Sequence, residues 1–188
     1  MNLQFSSREL RDLAVAWVAL GVAFAIFFAR GGSRAVSMIL DQGVVGPLVV
    51  SLVTAGFGFL LHELAHKVVA VRYGQIAEFR ADYGMLFLAV MSALVGFLFA
   101  APGAVHHRGR LTPREHGLIA LAGPAINGLL AVVFAPVYVG GQVAGSPILT
   151  QIGARGVAIN LFLAAFNLIP FGALDGRTVL DWSKGVFV

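Results

Sequence analysis

VVGPLVVSLVTAGFGFLLHELAHK, residues Val44 to Lys67, begins with 18 residues that carry no charge and ends in two histidines, a glutamate and a lysine. As a helix those 18 residues reach about 27 Å, close to the roughly 30 Å of hydrocarbon in a bilayer. The pattern recurs along the chain. Further uncharged runs are Leu13 to Ala29 (17 residues), Tyr83 to Val105 (23), Gly117 to Ala154 (38, read as one helix plus a glycine-rich loop at Val139 to Gly145) and Gly156 to Leu174 (19). Of the 188 residues 59% are apolar and 12% charged, where an ordinary soluble domain has about 25% charged. A soluble domain of this size has too much exterior to hide such a composition from water. Disorder and nucleic-acid binding are excluded on the same grounds. With no cysteine, a disulfide scaffold and a thiolate metal site are excluded too. The expected architecture is an all-α polytopic membrane protein in one domain, residues 1–188. The first run follows Arg8, Glu9, Arg11 and Asp12 and is read as a retained anchor rather than a cleaved signal.

His62-Glu63-Leu64-Ala65-His66 is an HExxH. At i and i+4 the imidazoles share one helical face and can hold one metal ion, and the glutamate beside the first of them can act as base toward a water on that metal. Ionisable groups at membrane depth are costly, so a functional reading outweighs a pair of interfacial histidines. A catalytic zinc takes three protein ligands and keeps one open position. For the third ligand, Glu78 and Asp82 lie in a polar loop with Arg72 and Arg80, where solvated charges are the plainer reading. His106 and His107 sit in a basic loop, and Glu115 is explained by the helix start Thr112-Pro113-Arg114-Glu115. Asp175 follows a 19-residue uncharged run. Alone, an Asp-Gly aspartate reads as a turn residue; the need for a third ligand favours it over that reading.

Three elements in order, the HExxH, Gly123-Pro124-Ala125-Ile126-Asn127, and Asn167-x-x-Pro170 leading to Leu174-Asp175-Gly176, resemble the site-2 protease family of intramembrane zinc metalloproteases over about residues 44–181. The resemblance implies one Zn²⁺ held by His62, His66 and Asp175, Glu63 as general base, and Asn127 and Asn167 shaping the cleft or orienting substrate. It implies transmembrane protein substrates in the lipid bilayer and no nucleic-acid partner. Gly123-Pro124 also reads as a simple helix kink, and Asn127 as an interhelical hydrogen-bonding residue. The chain stops 13 residues after Asp175, which reads as a catalytic core with little after it. The alternative outside proteolysis is a membrane protein that binds or transports a metal.

Topology follows from requiring the ligands to meet. If residues 83–105 crossed the bilayer fully, His66 and Asp175 would end on opposite sides. If that segment returns, the ligands converge and four full spans remain. Charge favours the returning path. It puts Arg8, Arg11, Lys67, Arg72, Arg80, Arg108, Arg110, Arg114, Arg177 and Lys184 on one side and Arg30, Arg34 and Arg155 on the other, ten against three, where a full crossing gives six against seven. Basic residues gather in short cytoplasmic loops, so both termini and the loop 106–114 are expected on the cytoplasmic face of the cell membrane.

Overall fold

Ser6 starts the first helix, α1 (Ser7–Phe28), by accepting a hydrogen bond from the Glu9 backbone N–H at 3.1 Å. Leu13, Ala16, Leu20, Ala23 and Phe24 form its buried stripe at helical spacing. The computed structural model describes residues 3–32, 37, 41 and 43–187. Arg34, part of the far-side charge argument, lies outside the described residues.

The second helix, α2 (Val45–Arg72), contains the HExxH and a π-helical turn at Leu52–Gly56. The wide turn inserts a residue and so rephases the helix ahead of His62. The Trp17 indole N–H donates to the Leu52 carbonyl at 3.1 Å. The HExxH does not end this helix, which runs on through Lys67 to Arg72.

The expected polar loop after α2 contains strand β1 (Ile76–Ala81), which pairs antiparallel with β2 (Gly103–Arg108) from Ile76↔Arg108 to Ala81↔Gly103. Between the strands stands α3 (Tyr83–Leu94). Its 12 residues reach about 18 Å, short of the roughly 30 Å a span needs. The Asp82 N–H donates to the Pro102 carbonyl at 3.0 Å, so the segment closes where it opened. The returning path is therefore built as a helix between two paired strands, and the strands were not foreseen. Ala89 and Ala93 of α3 pack on Ala23 of α1, small residues that let two helices approach closely.

Thr112 and Glu115 form a capping box at the start of α4 (Pro113–Val143). This helix runs through Pro124 and Pro136 and through Gly140 and Gly141, where a loop is expected. The loop shortens because Gly141 belongs to a close helix pair: a Cβ there would stand 2.8 Å from the Leu149 carbonyl carbon. That partner is α5 (Pro147–Asn167), followed by α6 (Asp175–Trp182) and the short α7 (Lys184–Phe187). Among the described residues α1, α2, α4 and α5 are long and apolar enough to cross a membrane. Exposed Phe87, Val95, Val132 and Phe162 give the outside an apolar surface. The protein is an all-α polytopic membrane protein with one small strand pair.

Candidate metal centre

One turn of α2 separates His62 from His66, and both imidazoles are buried. Their Nε2 atoms lie 3.0 Å apart. Asp175, the first residue of α6, puts Oδ2 at 3.3 Å from His62 Nε2 and 3.4 Å from His66 Nε2. Gly123 of α4 makes room for this triangle, since a Cβ there would stand 2.5 Å from each of the two Nε2 atoms.

Hydrogen bonds on the far side of each ring set the chemistry of the triangle. His66 Nδ1 lies 2.7 Å from the Ile119 carbonyl, which only accepts, so Nδ1 carries the hydrogen. His62 Nδ1 lies 2.6 Å from Asn127 Oδ1. Asn127 Nδ2 donates to the Gly58 carbonyl at 3.0 Å and to Asn160 Oδ1 at 2.9 Å, so its oxygen is the end that meets His62. As neutral imidazoles, both rings therefore present Nε2 lone pairs inward. Asp175 Oδ2 is buried and takes no hydrogen bond. With both rings neutral, three Lewis bases face one another with no hydrogen between them, an arrangement that repels itself unless a cation joins it. Zinc ligands at 2.0–2.1 Å in a tetrahedron stand roughly 3.3–3.4 Å apart, which the two imidazole–carboxylate sides match, while the imidazole–imidazole side at 3.0 Å is somewhat shorter.

Glu63 is buried next to this group, and the Val105 backbone amide of β2 faces its carboxylate. A second network holds that strand in place. Lys67 donates to Glu9 Oε2 at 2.5 Å and to the Gln4 carbonyl at 2.7 Å, and Glu9 Oε1 accepts from the Phe79 N–H at 3.0 Å. Phe79 pairs with Val105 across the sheet, so a buried ion pair ties α1, the HExxH helix and the strands around the base.

Compared with curated proteins, the chain is 41% identical over 186 residues, 98% of its own length and 89% of the other's, to "Putative zinc metalloprotease MJ0611" of Methanocaldococcus jannaschii. The chain belongs to this family of zinc metalloproteases. YwhC of Bacillus subtilis, named in the same way, is 30% identical over 152 residues, covering 71% of this metalloprotease homologue and 67% of YwhC. The similarly named sll0528 of Synechocystis is 32% identical over 139 residues, 71% of this chain but 32% of that larger protein. No family model and no solved structure matches the chain.

Of the residues expected at a metalloprotease site, the fold brings His62, His66, Asp175, Glu63 and Asn127 together. Asn127, for which the resemblance implies a part in shaping the cleft or orienting substrate, has both amide hydrogens on protein acceptors and its oxygen on His62, so it bonds across helices as its alternative reading expects. Asn167 turns back on its own helix, donating to the Leu163 carbonyl at 2.9 Å. The weaker ligand candidates serve structure. Asp82 caps α3 by accepting from the Met85 N–H at 3.0 Å. Glu78 bonds Ser6 and Arg80, which hold its carboxyl below the ordinary value near 4.5. His107 stacks edge-on with His116, ring centres 5.7 Å apart; partial burial and then that neighbour lower its imidazole below the usual range. Asn160 was missed. The sequence signal for it is a polar amide inside the uncharged run 156–174.

Proposed function

We propose that this chain is an intramembrane zinc metalloprotease of the site-2 type, hydrolysing peptide bonds within or near the transmembrane segments of other membrane proteins. The observation that carries the reading is the triangle of three inward lone pairs beside a buried glutamate, set among helices apolar enough to cross a bilayer. His62, His66 and Asp175 would hold the zinc. When bound, the ion supplies Lewis acidity, which acidifies water and polarises a peptide carbonyl. Glu63 takes the proton from the attacking water and passes it to the leaving amine, while the Val105 amide steadies its carboxylate. Asn127 and the Ile119 carbonyl keep both imidazoles aimed inward. A substrate helix hides its carbonyls in its own hydrogen bonds, so it must unwind locally before attack, and helix-breaking residues near the scissile bond favour cleavage.

The returning segment between β1 and β2 supports a topology of four spans with both termini on the HExxH side, and the ten-to-three charge division supports that side being cytoplasmic. Metal transport would call for a path of ligating groups, and among the described residues one such group is present. A closed structural zinc site would need a fourth ligand, and the candidate histidine for it, His106, is exposed on β2.

Zinc content together with cleavage of a model transmembrane substrate tests the reading. Glu63→Gln is nearly isosteric but takes no proton, so it should keep the zinc and lose about 10²- to 10⁴-fold in rate. Undiminished turnover in that variant, or zinc-free protein that cleaves equally well, would overturn it.

A further inference from the structure

Asn160 lies in α5, 0% exposed, on a helix whose other buried residues are Gly153, Gly156 and Ile159. It does not touch the ligand triangle. Its Nδ2 donates to the Gly156 carbonyl at 2.9 Å, and its Oδ1 accepts from Asn127 Nδ2 at 2.9 Å. Asn127, itself 0% exposed, then meets His62 Nδ1 at 2.6 Å.

The polarity of this series has physical consequences. An asparagine amide is nearly symmetric in shape, and only its partners decide which end is oxygen. If Asn127 turned over, its NH₂ would face His62 Nδ1. His62 would then keep its hydrogen on Nε2, the atom that points at His66 and Asp175, and that nitrogen would have no lone pair for a metal. The backbone removes the ambiguity. The Gly156 carbonyl can only accept, so it holds the Asn160 amide with NH₂ toward itself and oxygen toward Asn127. Asn127 must then answer with NH₂, and its second hydrogen goes to another carbonyl, that of Gly58, at 3.0 Å. The neighbouring glycine is part of the arrangement, since a Cβ at Gly58 would stand 2.7 Å from Asn160 Oδ1.

We propose that Asn160 is a positioning residue for the metal centre: with Asn127 it relays the fixed polarity of the Gly156 carbonyl across three helices and sets the ring tautomer of His62. The proposal rests on His62 being a zinc ligand, as put forward above. It assigns Asn160 no contact with metal or substrate.

The test is a double-mutant cycle on zinc affinity, measured by chelator competition with full-length protein in detergent, using Asn160→Leu, Asn127→Leu and the pair. Losing an outer-shell partner of a ligating histidine costs 10- to 100-fold in metal affinity. Asn127 keeps its Gly58 anchor in Asn160→Leu, so a loss of about 10-fold is expected, at the low end of that range. In the Asn127→Leu background the second substitution should add less than about 2-fold, because the relay is already cut. If Asn160→Leu does not fold, Asn160→Ala replaces it in the same cycle. Nitrogen-15 NMR of the histidine rings of metal-free protein reads the tautomer itself, and should find the His62 hydrogen on Nδ1 in the wild type and lost from that position or exchanging in the variant. Additive losses, or zinc affinity within 2-fold of wild type in Asn160→Leu, would overturn the relay, since a merely structural asparagine lowers thermal stability without coupling to Asn127. Should the wild type bind no zinc, the ligand reading fails, and the ring spectra of wild type and variant still decide the relay.

Discussion

Replacing Gly123 by alanine separates metal binding from folding. An ideal Cβ at Gly123 stands 2.5 Å from His62 Cε1, 2.5 Å from His62 Nε2 and 2.5 Å from His66 Nε2. An ordinary contact of a methyl group is about 3.5 Å, so both rings must retreat by roughly 1 Å. Metal–ligand distances tolerate about 0.2 Å, so a displacement of that size removes two ligands together. Stability responds far less. Alanine is favoured over glycine in a helix interior by about 1 kcal/mol, which offsets part of the roughly 1–3 kcal/mol that an extra methyl costs in a packed interior. Zinc affinity of Gly123→Ala, read by chelator competition, should therefore fall by at least about 100-fold, while the melting temperature of the metal-free protein changes little. Gly128 lies one and a half turns along the same helix, and a Cβ there meets nothing within 4 Å. Gly128→Ala is the matched control and should bind zinc like the wild type. Wild-type affinity in Gly123→Ala would refute the reasoning, because it would mean that the triangle is not where the metal sits.

Three further outcomes follow from other parts of the fold. Lys67→Met leaves the Glu9 carboxylate uncompensated where it is 0% exposed; a loss of about 3–5 kcal/mol is expected in denaturant titration, and Lys67→Met with Glu9→Gln should recover much of it. The Ser6 hydroxyl and the Arg80 guanidinium hold Glu78 below its ordinary value near 4.5, so the stability it lends is complete above about that pH and is lost as pH falls through the lower folded value. Glu78→Gln should accordingly flatten the acid side of a melting-temperature profile; an unchanged slope would contradict the assignment. In the cysteine-free chain, an impermeant thiol reagent should modify Arg110→Cys and Ser183→Cys from the cytoplasmic side and Gln142→Cys from the other, whereas Arg110 reacting from the same side as Gln142 would rule out the returning segment.

The apolar runs, the i, i+4 histidines and the Thr112–Glu115 cap were legible in the sequence because each depends on residues within one helix. Lipid as solvent forces every backbone group to be satisfied locally, so long uncharged runs become helices whatever their neighbours are. The returning segment was legible for another reason: the charge division and the need for two ligands to meet are constraints on the whole chain that can be counted without coordinates. The strand pair β1–β2 was not legible, because its partners are separated by the helix they enclose and Gly103–Arg108 begins inside what reads as a continuous apolar run. Local pattern alone leaves Asp175 a turn carboxylate; the need for a third ligand and the family motifs singled it out over Glu78 and Asp82, and the packing of α4 on α2 and of α6 on α4 brings it 3.3–3.4 Å from both imidazoles. Asn127 carried a motif and an interhelical hydrogen-bonding reading but not the partners it joins, and Asn160 carried neither motif nor task. Their roles exist only between helices, where the direction of a hydrogen bond is set by whichever backbone carbonyl the neighbouring helix presents, and no spacing along one chain encodes that direction.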